Sequence, residues 1–347
     1  DLLIIIKSSV AVLPDEMYRN LTMSSLTKVT PSLYMLNYQN DYYLDEILDR
    51  GVQTQDEVKE FFAEKFKINL NSNQSNDAYS CSSFNVYNNK NQNLFGRNFD
   101  FPVLSPTFVV WTNPPNGYRS ISFVNGKYIG ISEGEEIEKE KLLYSVYDIM
   151  DGCNEAGLAI SFLALLNTPK VWQDDPKKKT ITSPIMTKGV LDNCKNVAEA
   201  IDFFRKYNMH DISENRSLHY LITDSHGDSV IIEYIDNRMV TIKPYERENV
   251  KYSYLTNFML IKQIGKGNEN GVDRYNILKE KLKDDIVMEE DEAMNLLSKV
   301  HKNSTLWSNI YNTNELTVIT AIRYNYTILY KFDLYRPNEC FIYQKNY

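Results

Sequence analysis

The sequence has few of the residues that build disulfide frameworks and metal sites. Its 347 residues include four histidines and four cysteines, Cys81, Cys153, Cys194 and Cys340. Four cysteines in a chain of this length do not make a disulfide framework, and no cysteine pair has the spacing of metal ligands. The histidines form no His-x-x-x-His pair. These absences argue against a metal enzyme, so we expect no metal site.

Positive charge and long apolar runs are also scarce. There are 38 Lys and Arg against 46 Asp and Glu, a formal net charge of -8. Nucleic-acid-binding proteins carry a basic face, so we expect no nucleic-acid partner. No stretch is long enough to span a membrane, since Lys7 interrupts the apolar run at residues 2–6. A content of 43 % hydrophobic and 24 % charged residues is ordinary for a globular protein.

Residues 1–80 differ in pattern from the rest, and we interpret them as a separate, mainly helical leader. Residues 32–38 alternate as a strand does, and residues 41–48 predict a short helix. Thr54 is the expected N-cap of a second helix. Residues 69–77 are rich in Asn and Ser, and we expect this segment to be exposed and open to cleavage. The chain starts with Asp rather than Met, which favours a secreted or cell-envelope protein over a cytoplasmic one.

From residue 81 onward the pattern predicts strands and turns with a few helices. Residues 151–157 predict a turn, and the apolar run at residues 158–166 is typical of a strand covered on both faces. Further strands are predicted at residues 108–111, 120–124, 218–223, 229–234, 317–324, 327–332 and 340–343, and helices at residues 196–207 and 290–300. This order indicates an α+β fold that is rich in sheet.

The chemistry is concentrated in one stretch that begins at Cys81. A polar run at residues 85–93 follows it, and then a Gly-Arg-Asn-Phe-Asp motif at residues 96–100. The pattern predicts a β-hairpin that returns Arg97 and Asp100 to the side of the thiol. A guanidinium near a thiol favours the thiolate, and a carboxylate can hold an amine or orient a proton carrier. Without further context, an ordinary buried cysteine beside a surface ion pair would explain these residues.

An arginine 16 residues and an aspartate 19 residues after a cysteine, within Gly-Arg-Asn-x-Asp, resembles the choloylglycine hydrolase family. This family comprises bile salt hydrolases, penicillin V acylases and the related acid ceramidases, which are N-terminal-nucleophile hydrolases of linear amides. Similar motifs follow in the family's order at residues 151–158, 255–258, 273–275 and 305–312. The resemblance covers residues 81–347 and implies the four-layer αββα sandwich of these hydrolases.

The resemblance also implies roles for the residues that match its motifs. Cys81 would be the nucleophile, made N-terminal by cleavage between Ser80 and Cys81. Asp100 would hold the new α-amine, while Arg97 and Arg274 would lie near the thiolate. The mechanism implied by the resemblance needs no cofactor.

The oxyanion hole is where the chain departs from the family pattern. Asn257 is implied as one of its donors. The family often has Asn or Tyr at the position occupied here by Ala164, whose backbone N–H can donate but whose side chain cannot. Without the resemblance, Asn257 would be interpreted as a turn-capping amide and Arg274 as a surface charge at the start of a helix.

The substrate implied by the resemblance is a small-molecule N-acyl amide with an apolar acyl group. The leader, residues 1–80, would be a partner within the same chain, and the sequence leaves a homo-oligomer open. The long leader favours a fatty or other N-acyl amide, with a bile salt or penicillin V amidase as the alternative. Two further alternatives are a thiol hydrolase in which a histidine activates Cys81, and a non-catalytic binding protein on the same fold.

Overall fold

A computed structural model of the chain describes residues 15–70, 80–166, 168–213, 216–244, 251–261, 270–283 and 286–344. Most of the predicted exposed segment at residues 69–77 lies outside these ranges. Within them, every helix is too short or too polar to cross a lipid bilayer.

The described residues alternate between strands and helices. The strands are β1 Thr27–Thr30, β2 Leu33–Tyr38, β3 Ser80–Tyr87, β4 Asn93–Asp100, β5 Thr107–Thr112, β6 Ser120–Asn125, β7 Ile149–Asn154, β8 Ala159–Leu166, β9 Thr180–Thr182, β10 Asn208–His210, β11 Arg216–Thr223, β12 Ser229–Ile235, β13 Arg238–Ile242, β14 Tyr254–Leu255, β15 Thr305–Asn312, β16 Thr317–Ile322, β17 Asn325–Asp333 and β18 Phe341–Gln344. The α-helices are α1 Asp15–Ser24, α2 Leu44–Arg50, α3 Gln55–Phe66, α4 Ser183–Asn193, α5 Val197–Lys206, α6 Val272–Lys281 and α7 Glu290–Lys299, and 3₁₀ helices cover Gly126–Ile129 and Lys139–Tyr147.

Two large sheets lie face to face. The first has the strand order β14-β3-β4-β15-β16-β17-β18, and the second has the order β1-β2-β5-β6-β7-β8-β11-β12-β13. The inner faces meet where β3 crosses β8, and there the Oγ atoms of Ser83 and Ser161 are 3.1 Å apart. The short strands β9 and β10 pair with each other in parallel.

Helices cover the outer face of each sheet. On the first sheet, α6 contacts β3 and β14, and α7 contacts β4 and β15. On the second sheet, α4 contacts β7 and β8, and α5 contacts β11. The layers therefore run helix, sheet, sheet, helix, which confirms the predicted α+β, four-layer αββα sandwich.

Burial on both faces explains why several strands are nearly continuous apolar runs. In β8 all residues except Leu166 are buried, which confirms the strand predicted at residues 158–166. Strands β4, β5, β6, β7 and β15 are buried along their whole length. Polar side chains in such strands have no access to water, so they must form hydrogen bonds within the protein.

Two predicted boundaries were wrong. Residues 151–154 belong to β7, and the turn that follows ends at Gly157, whose φ of +81° suits glycine. The helix predicted at residues 41–48 is Leu44–Arg50, because Tyr43 adopts a left-handed conformation with a φ of 52°. The other predicted strands and helices are confirmed within a few residues as β2, β5, β6, β11, β12, β16, β17, β18, α3, α5 and α7.

The described part of the leader is built into the second sheet and does not stand apart from it. Strand β2 pairs in parallel with β5, and β1 adds the outermost strand. Helix α3 buries Phe62, whose ring centre lies 5.3 Å from that of Tyr144 in an edge-on contact. The leader therefore shares its core with residues 81–347, while the boundary at residue 81 stays a prediction.

A buried polar cluster joins the leader to α4. The Tyr42 hydroxyl donates to Asp192 Oδ2 at 2.6 Å. Lys188 Nζ donates to Asp192 Oδ1 and, at 2.9 Å, to Thr112 Oγ1, and it lies 4.6 Å from the centre of the Tyr42 ring. All four side chains are buried. A buried ion pair needs further hydrogen bonds to offset the cost of desolvation. The Tyr42 hydroxyl supplies one of them to the Lys188–Asp192 pair, and residues 81–347 do not supply it alone.

Replacing Tyr42 by Phe should destabilise the protein. The Tyr42→Phe variant leaves a buried oxygen of Asp192 without its donor, which costs about 1 to 3 kcal/mol of unfolding free energy. Urea unfolding followed by circular dichroism measures this loss. Tyr34→Phe is the matched control, because the ring of Tyr34 stacks on Phe108 at 5.3 Å and is retained. An equal loss of stability in both variants would contradict the role assigned to the Tyr42 hydroxyl.

Candidate active site

The β3–β4 hairpin places the candidate nucleophile inside the sandwich. Cys81 is the second residue of β3 and is only 1 % exposed. Ser80 pairs with Asp100 on β4, and Ser83 pairs with Arg97. In an antiparallel hairpin each step along one strand is matched by a step back along the other. The predicted hairpin is thus confirmed, and it brings Arg97 and Asp100 beside the thiol-bearing end of β3.

The side chain of Asn257 connects the main chain at Cys81 to two other elements. Its Oδ1 accepts the Cys81 N–H at 2.6 Å and an N–H of Arg274 at 2.8 Å. Its Nδ2 donates to the carbonyl oxygen of Ala164 at 2.9 Å. Asn257 is therefore no simple turn cap, and the observed contact of Ala164 uses its carbonyl group. The donation predicted from the Ala164 N–H stays a prediction.

Arg274 lies in the first turn of α6 but is buried, with 3 % of its surface exposed. Its Nη1 donates to the Cys81 carbonyl oxygen and, at 2.8 Å, to Ser82 Oγ. The same nitrogen lies 3.8 Å from Asp100 Oδ2. Arg274 therefore bonds directly to the nucleophile's main chain and is not a surface charge.

Arg97 crosses the space between the two sheets. It is fully buried, and its Nη2 donates to the Phe162 carbonyl oxygen of β8 at 2.8 Å. Its Nε lies 3.7 Å from Asp151 Oδ2 on β7. Three side chains of β15 donate to Asp151, namely Trp307, Asn309 and Tyr311. Among the described residues Arg97 Nη1 has no hydrogen-bond partner, so this buried N–H donor is unused.

Asp100 is a buried carboxyl group that is only partly satisfied. Its Oδ1 accepts the hydroxyl of Thr305 on β15, whereas its Oδ2 has no hydrogen-bond partner among the described residues. Burial raises the pKa of Asp100 to about 6, although the Arg274 guanidinium and the Thr305 hydroxyl act in the opposite direction. At neutral pH Asp100 is therefore mostly ionised and lacks a donor for one of its two oxygens.

The environment of Cys81 differs from that of a core cysteine. Burial raises the pKa of the Cys81 thiol, as does the charge of Asp100, whereas Arg97, Arg274 and a hydrogen bond from the Asp100 main chain lower it. Cys153 on β7 experiences burial alone, which raises its pKa to about 12. The guanidinium groups of Arg97 and Arg274 therefore offset part of the effect of burial at Cys81, whose pKa is still raised, and no cation does so at Cys153.

The histidines do not provide a base for Cys81. In the described ranges, which include all four histidines, none is hydrogen-bonded to the thiol. Both ring nitrogens of His210 and of His219 are bonded elsewhere, and His226 and His301 are exposed. The geometry therefore gives no support to a thiol hydrolase activated by histidine.

Sequence analysis missed the side chains that hold the candidate catalytic residues in place. Ser82 accepts from Arg274, and Thr305 donates to Asp100. Asp151 and Thr305 lie in motifs that sequence analysis singled out, but no local signal assigned them a partner. Lys302 Nζ donates to Ser80 Oγ at 3.0 Å, and Ser80 is the residue immediately before the predicted cleavage site.

An open cleft of about 790 Å³ adjoins the site on the side of Ser80. Its wall combines apolar side chains with basic ones and includes Phe101, Leu104, Arg274, Ile277, Lys302 and Tyr324. Arg274 belongs both to this wall and to the hydrogen bonds at Cys81. The cleft therefore reaches a side chain that binds the main chain of Cys81.

Two facing sheets covered by helices are the fold of the N-terminal-nucleophile hydrolases. Within this class, residues 81–257, just over half of the chain, match the model of the linear amide C-N hydrolases, choloylglycine hydrolase family. The chain belongs to this family. The match begins at Cys81, the residue that the hairpin places at the centre of the site.

Individual relatives are more distant. A penicillin V acylase from Pectobacterium atrosepticum is 34 % identical over 99 residues, which are 26 % of this chain and 26 % of the relative. The chain thus spans about a quarter of the length of this curated relative.

Two solved structures are similar to the fold. A conjugated bile acid hydrolase from Clostridium perfringens matches with a TM-score of 0.52 and 17 % identity over 77 % of this chain and 97 % of the other. A penicillin V acylase from Agrobacterium tumefaciens matches with a TM-score of 0.51 and 19 % identity over 74 % and 87 % of the two chains. These similarities show that the fold is shared.

The pKa of Asp100 should make stability depend on pH. A carboxyl whose pKa is about 6 when folded and 3.8 when unfolded binds its proton more tightly in the folded state. Its contribution to stability is therefore complete below about pH 4 and is lost as the pH rises through about 6. Relative to Asp100→Asn, the unfolding free energy should fall by up to about 3 kcal/mol over this range.

Urea unfolding at several pH values tests this, with both proteins carrying Cys81→Ala so that the thiol plays no part. The Asp148→Asn variant is a useful comparison, because burial raises the pKa of Asp148 to about 7 at a position outside the site. Its difference from the parent protein should begin to change at the same pH as that of Asp100→Asn but should go on changing up to about pH 7, because the loss ends at the pKa of the folded state. If the Asp100→Asn variant and its parent lose stability in parallel, the raised pKa of Asp100 is contradicted.

Proposed function

We propose that the chain is the precursor of a hydrolase that uses Cys81 as an N-terminal thiol nucleophile on the C–N bond of N-acyl amides. The observation that carries the proposal is the hydrogen bond at the Cys81 nitrogen, together with a buried carboxyl group on the paired strand. Asn257 Oδ1 accepts the Cys81 N–H at 2.6 Å, and Asp100, which pairs with Ser80, has a carboxylate oxygen without a hydrogen-bond partner among the described residues. Arg274 Nη1 lies 3.8 Å from that oxygen, too far for a hydrogen bond, so an α-ammonium group on Cys81 would supply the donor that Asp100 lacks.

Activation is a cleavage between Ser80 and Cys81. The thiol of Cys81 gives its proton to the Asp100 carboxylate, and the sulfur adds to the Ser80 carbonyl carbon. The peptide bond between Ser80 and Cys81 then breaks as the Cys81 nitrogen takes up a proton. This leaves a thioester between the Ser80 carbonyl and the Cys81 sulfur. Water hydrolyses the thioester to a Ser80 carboxylate and a free thiol. Lys302 holds Ser80, the residue before the cleaved bond, through its hydrogen bond to Ser80 Oγ.

Turnover uses the α-amine that cleavage creates. An α-amine has a pKa of about 8 and can act as a base near neutral pH. It takes the Cys81 proton, the thiolate adds to the substrate carbonyl carbon, and the protonated amine then gives its proton to the leaving nitrogen. The acyl group remains on sulfur until water, deprotonated by the same amine, hydrolyses the thioester. No cofactor takes part in this sequence.

Stabilisation of the tetrahedral oxyanion falls to Asn257 and the backbone. The Nδ2 of Asn257 has two hydrogens, and the hydrogen bond to the Ala164 carbonyl uses only one of them. The second hydrogen, with the Ala164 N–H, would donate to the oxyanion. Donors of this kind commonly lower the barrier by a few kcal/mol. Since Ala164 has no polar side chain, the chain depends more heavily on Asn257 than family members with Asn or Tyr at this position.

The leader is proposed to remain with the enzyme after cleavage. The parallel pairing of β2 with β5 and the Tyr42–Asp192 hydrogen bond do not involve the cleaved bond. Breaking one peptide bond leaves these contacts intact. The mature enzyme would then be two chain segments held together by the second sheet.

The proposed substrate is a linear N-acyl amide with an apolar acyl group. The cleft beside Arg274 supports an amphiphilic ligand, because apolar Phe101, Leu104 and Ile277 share its wall with Lys302. Its mixture of apolar and basic surface suits a fatty acyl chain next to a polar amide. Penicillin V and a conjugated bile acid, which appear in the names of similar proteins, are the alternatives for a substrate screen.

The proposal predicts that Cys81→Ala abolishes both cleavage and turnover. The variant lacks the sulfur on which both thioesters form, so its intact mass should stay that of the whole chain. Wild-type protein incubated between about pH 4.5 and 8, a range that brackets the carboxyl and amine groups, should yield a fragment that starts at Cys81. Mass spectrometry and N-terminal sequencing detect it, and a screen of N-acyl amides follows.

Cys340→Ala is the matched control, because this half-buried thiol lies outside the site. It should be cut and should turn over substrate as the wild type does. Undiminished cleavage in Cys81→Ala would overturn the self-processing step. Undiminished amide hydrolysis in the same variant would overturn the assignment of the nucleophile.

A further inference from the structure

A buried acid–base pair lies on the second sheet, away from the thiol. His219 on β11 and Glu233 on the neighbouring β12 both have 0 % of their surface exposed. His219 Nδ1 is 3.0 Å from Glu233 Oε1. The mechanism proposed above uses neither side chain, and sequence analysis gave neither a role. Burying such polar side chains is costly unless they are hydrogen-bonded, so the contacts of both side chains matter.

The second ring nitrogen of His219 also faces an acceptor. His219 Nε2 lies 2.6 Å from the carbonyl oxygen of Thr256. The two ring nitrogens of His219 therefore link the side chain of Glu233 to the main chain at Thr256. Glu233 of β12 and the Thr256 carbonyl are the hydrogen-bond partners of the His219 ring among the described residues, and its pairing partner on β8 is the apolar Leu163.

Glu233 extends the pair to the far end of the same loop. Its Oε1 accepts the main-chain N–H of Leu260 at 2.8 Å, and its Oε2 accepts that of Ile261 at 3.2 Å. The two side chains thus hold the loop at Thr256 and again four to five residues later. Asn257 lies between these points.

The loop has to be placed accurately because of what Asn257 does. Its amide is within hydrogen-bond distance of the Cys81 nitrogen, Arg274 and Ala164 at once. Thr256 also donates through its Oγ1 to the Gly271 carbonyl oxygen at 2.9 Å, immediately before the helix that carries Arg274. A displacement of Thr256 would therefore move both groups that bind the main chain at Cys81.

We propose that His219, hydrogen-bonded to Glu233, is a positioning residue that fixes the Asn257 amide at the Cys81 nitrogen. This rests on the proposed function, because the Asn257 amide matters only if Cys81 reacts. His219 contacts neither Cys81 nor the cleft and acts through the Thr256 main chain. Glu233 holds the other end of the loop.

Positioning is measured by the rate at which the Cys81 fragment appears, which needs no external substrate. His219→Gln and Glu233→Gln should each slow cleavage about 10- to 100-fold, the cost of misplacing a reacting group by a fraction of an ångström to an ångström. The double variant should be no slower than the slower single variant, because the two side chains act as a unit. Independent, multiplicative losses would overturn the proposal.

His210→Gln is the matched control for loss of a buried histidine. His210 likewise has both ring nitrogens near carbonyl oxygens, those of Gln53 and Gln173, but it does not contact the Asn257 loop. Its cleavage rate should stay close to that of the wild type. Equal slowing in His210→Gln and His219→Gln would reduce His219 to a general structural role and overturn the proposal.

Hydrogen exchange separates this proposal from the proposed function. In His219→Gln the main-chain N–H groups of Leu260 and Ile261 should lose protection, whereas in His210→Gln they should keep it. If wild-type protein is never cut, the proposed function fails. Exchange then still decides whether the pair fixes the loop, and unchanged protection in His219→Gln would overturn that.

Discussion

The hydrogen bond between the Cys81 main-chain nitrogen and the Asn257 side chain joins the parts of the site. Cys81 comes from a hairpin in the first sheet, whereas Asn257 follows a two-residue strand 176 residues further along the chain. The same amide binds Arg274 of α6 and the carbonyl of Ala164 in the second sheet. One planar group with a single acceptor and two N–H donors thus fixes four segments relative to one another.

The sequence predicted what depends on local pattern. Hairpin pairing follows from spacing, so the positions of Arg97 and Asp100 relative to Cys81 could be derived, and an apolar run identified β8. The link from Arg274 to Cys81 spans 193 residues, and no periodicity encodes it; only the family resemblance put the two together. The parallel pairing of β2 with β5 also has no local signal, which is why the leader was expected to stand apart. The hydrogen bond from Thr305 to Asp100 could not be predicted either, because it depends on the pairing of β15 with β4.

The electrostatics of the site come from burying charges without pairing them fully. Arg97 and Arg274 bond largely to carbonyl oxygens and amides, which satisfy some of their donors but do not cancel their charge. Asp151 lies near Arg97 and also accepts hydrogen bonds from β15, whereas one oxygen of Asp100 has no hydrogen-bond partner among the described residues. The site therefore has unused hydrogen-bonding capacity of both signs, which suits a reaction in which an amine and an oxyanion form.

The parallel pairing of β2 with β5 also affects how the molecule behaves in a crowded solution. Without β1 and β2, strand β5 would become the outer edge of the second sheet, and its row of main-chain N–H and C=O groups would face solvent. Such an open edge, formed here by the apolar residues Phe108, Val109, Val110 and Trp111, recruits strands from other molecules. The leader therefore protects the sheet against self-association, and protein made from residue 81 onward would be prone to aggregate even with an intact site.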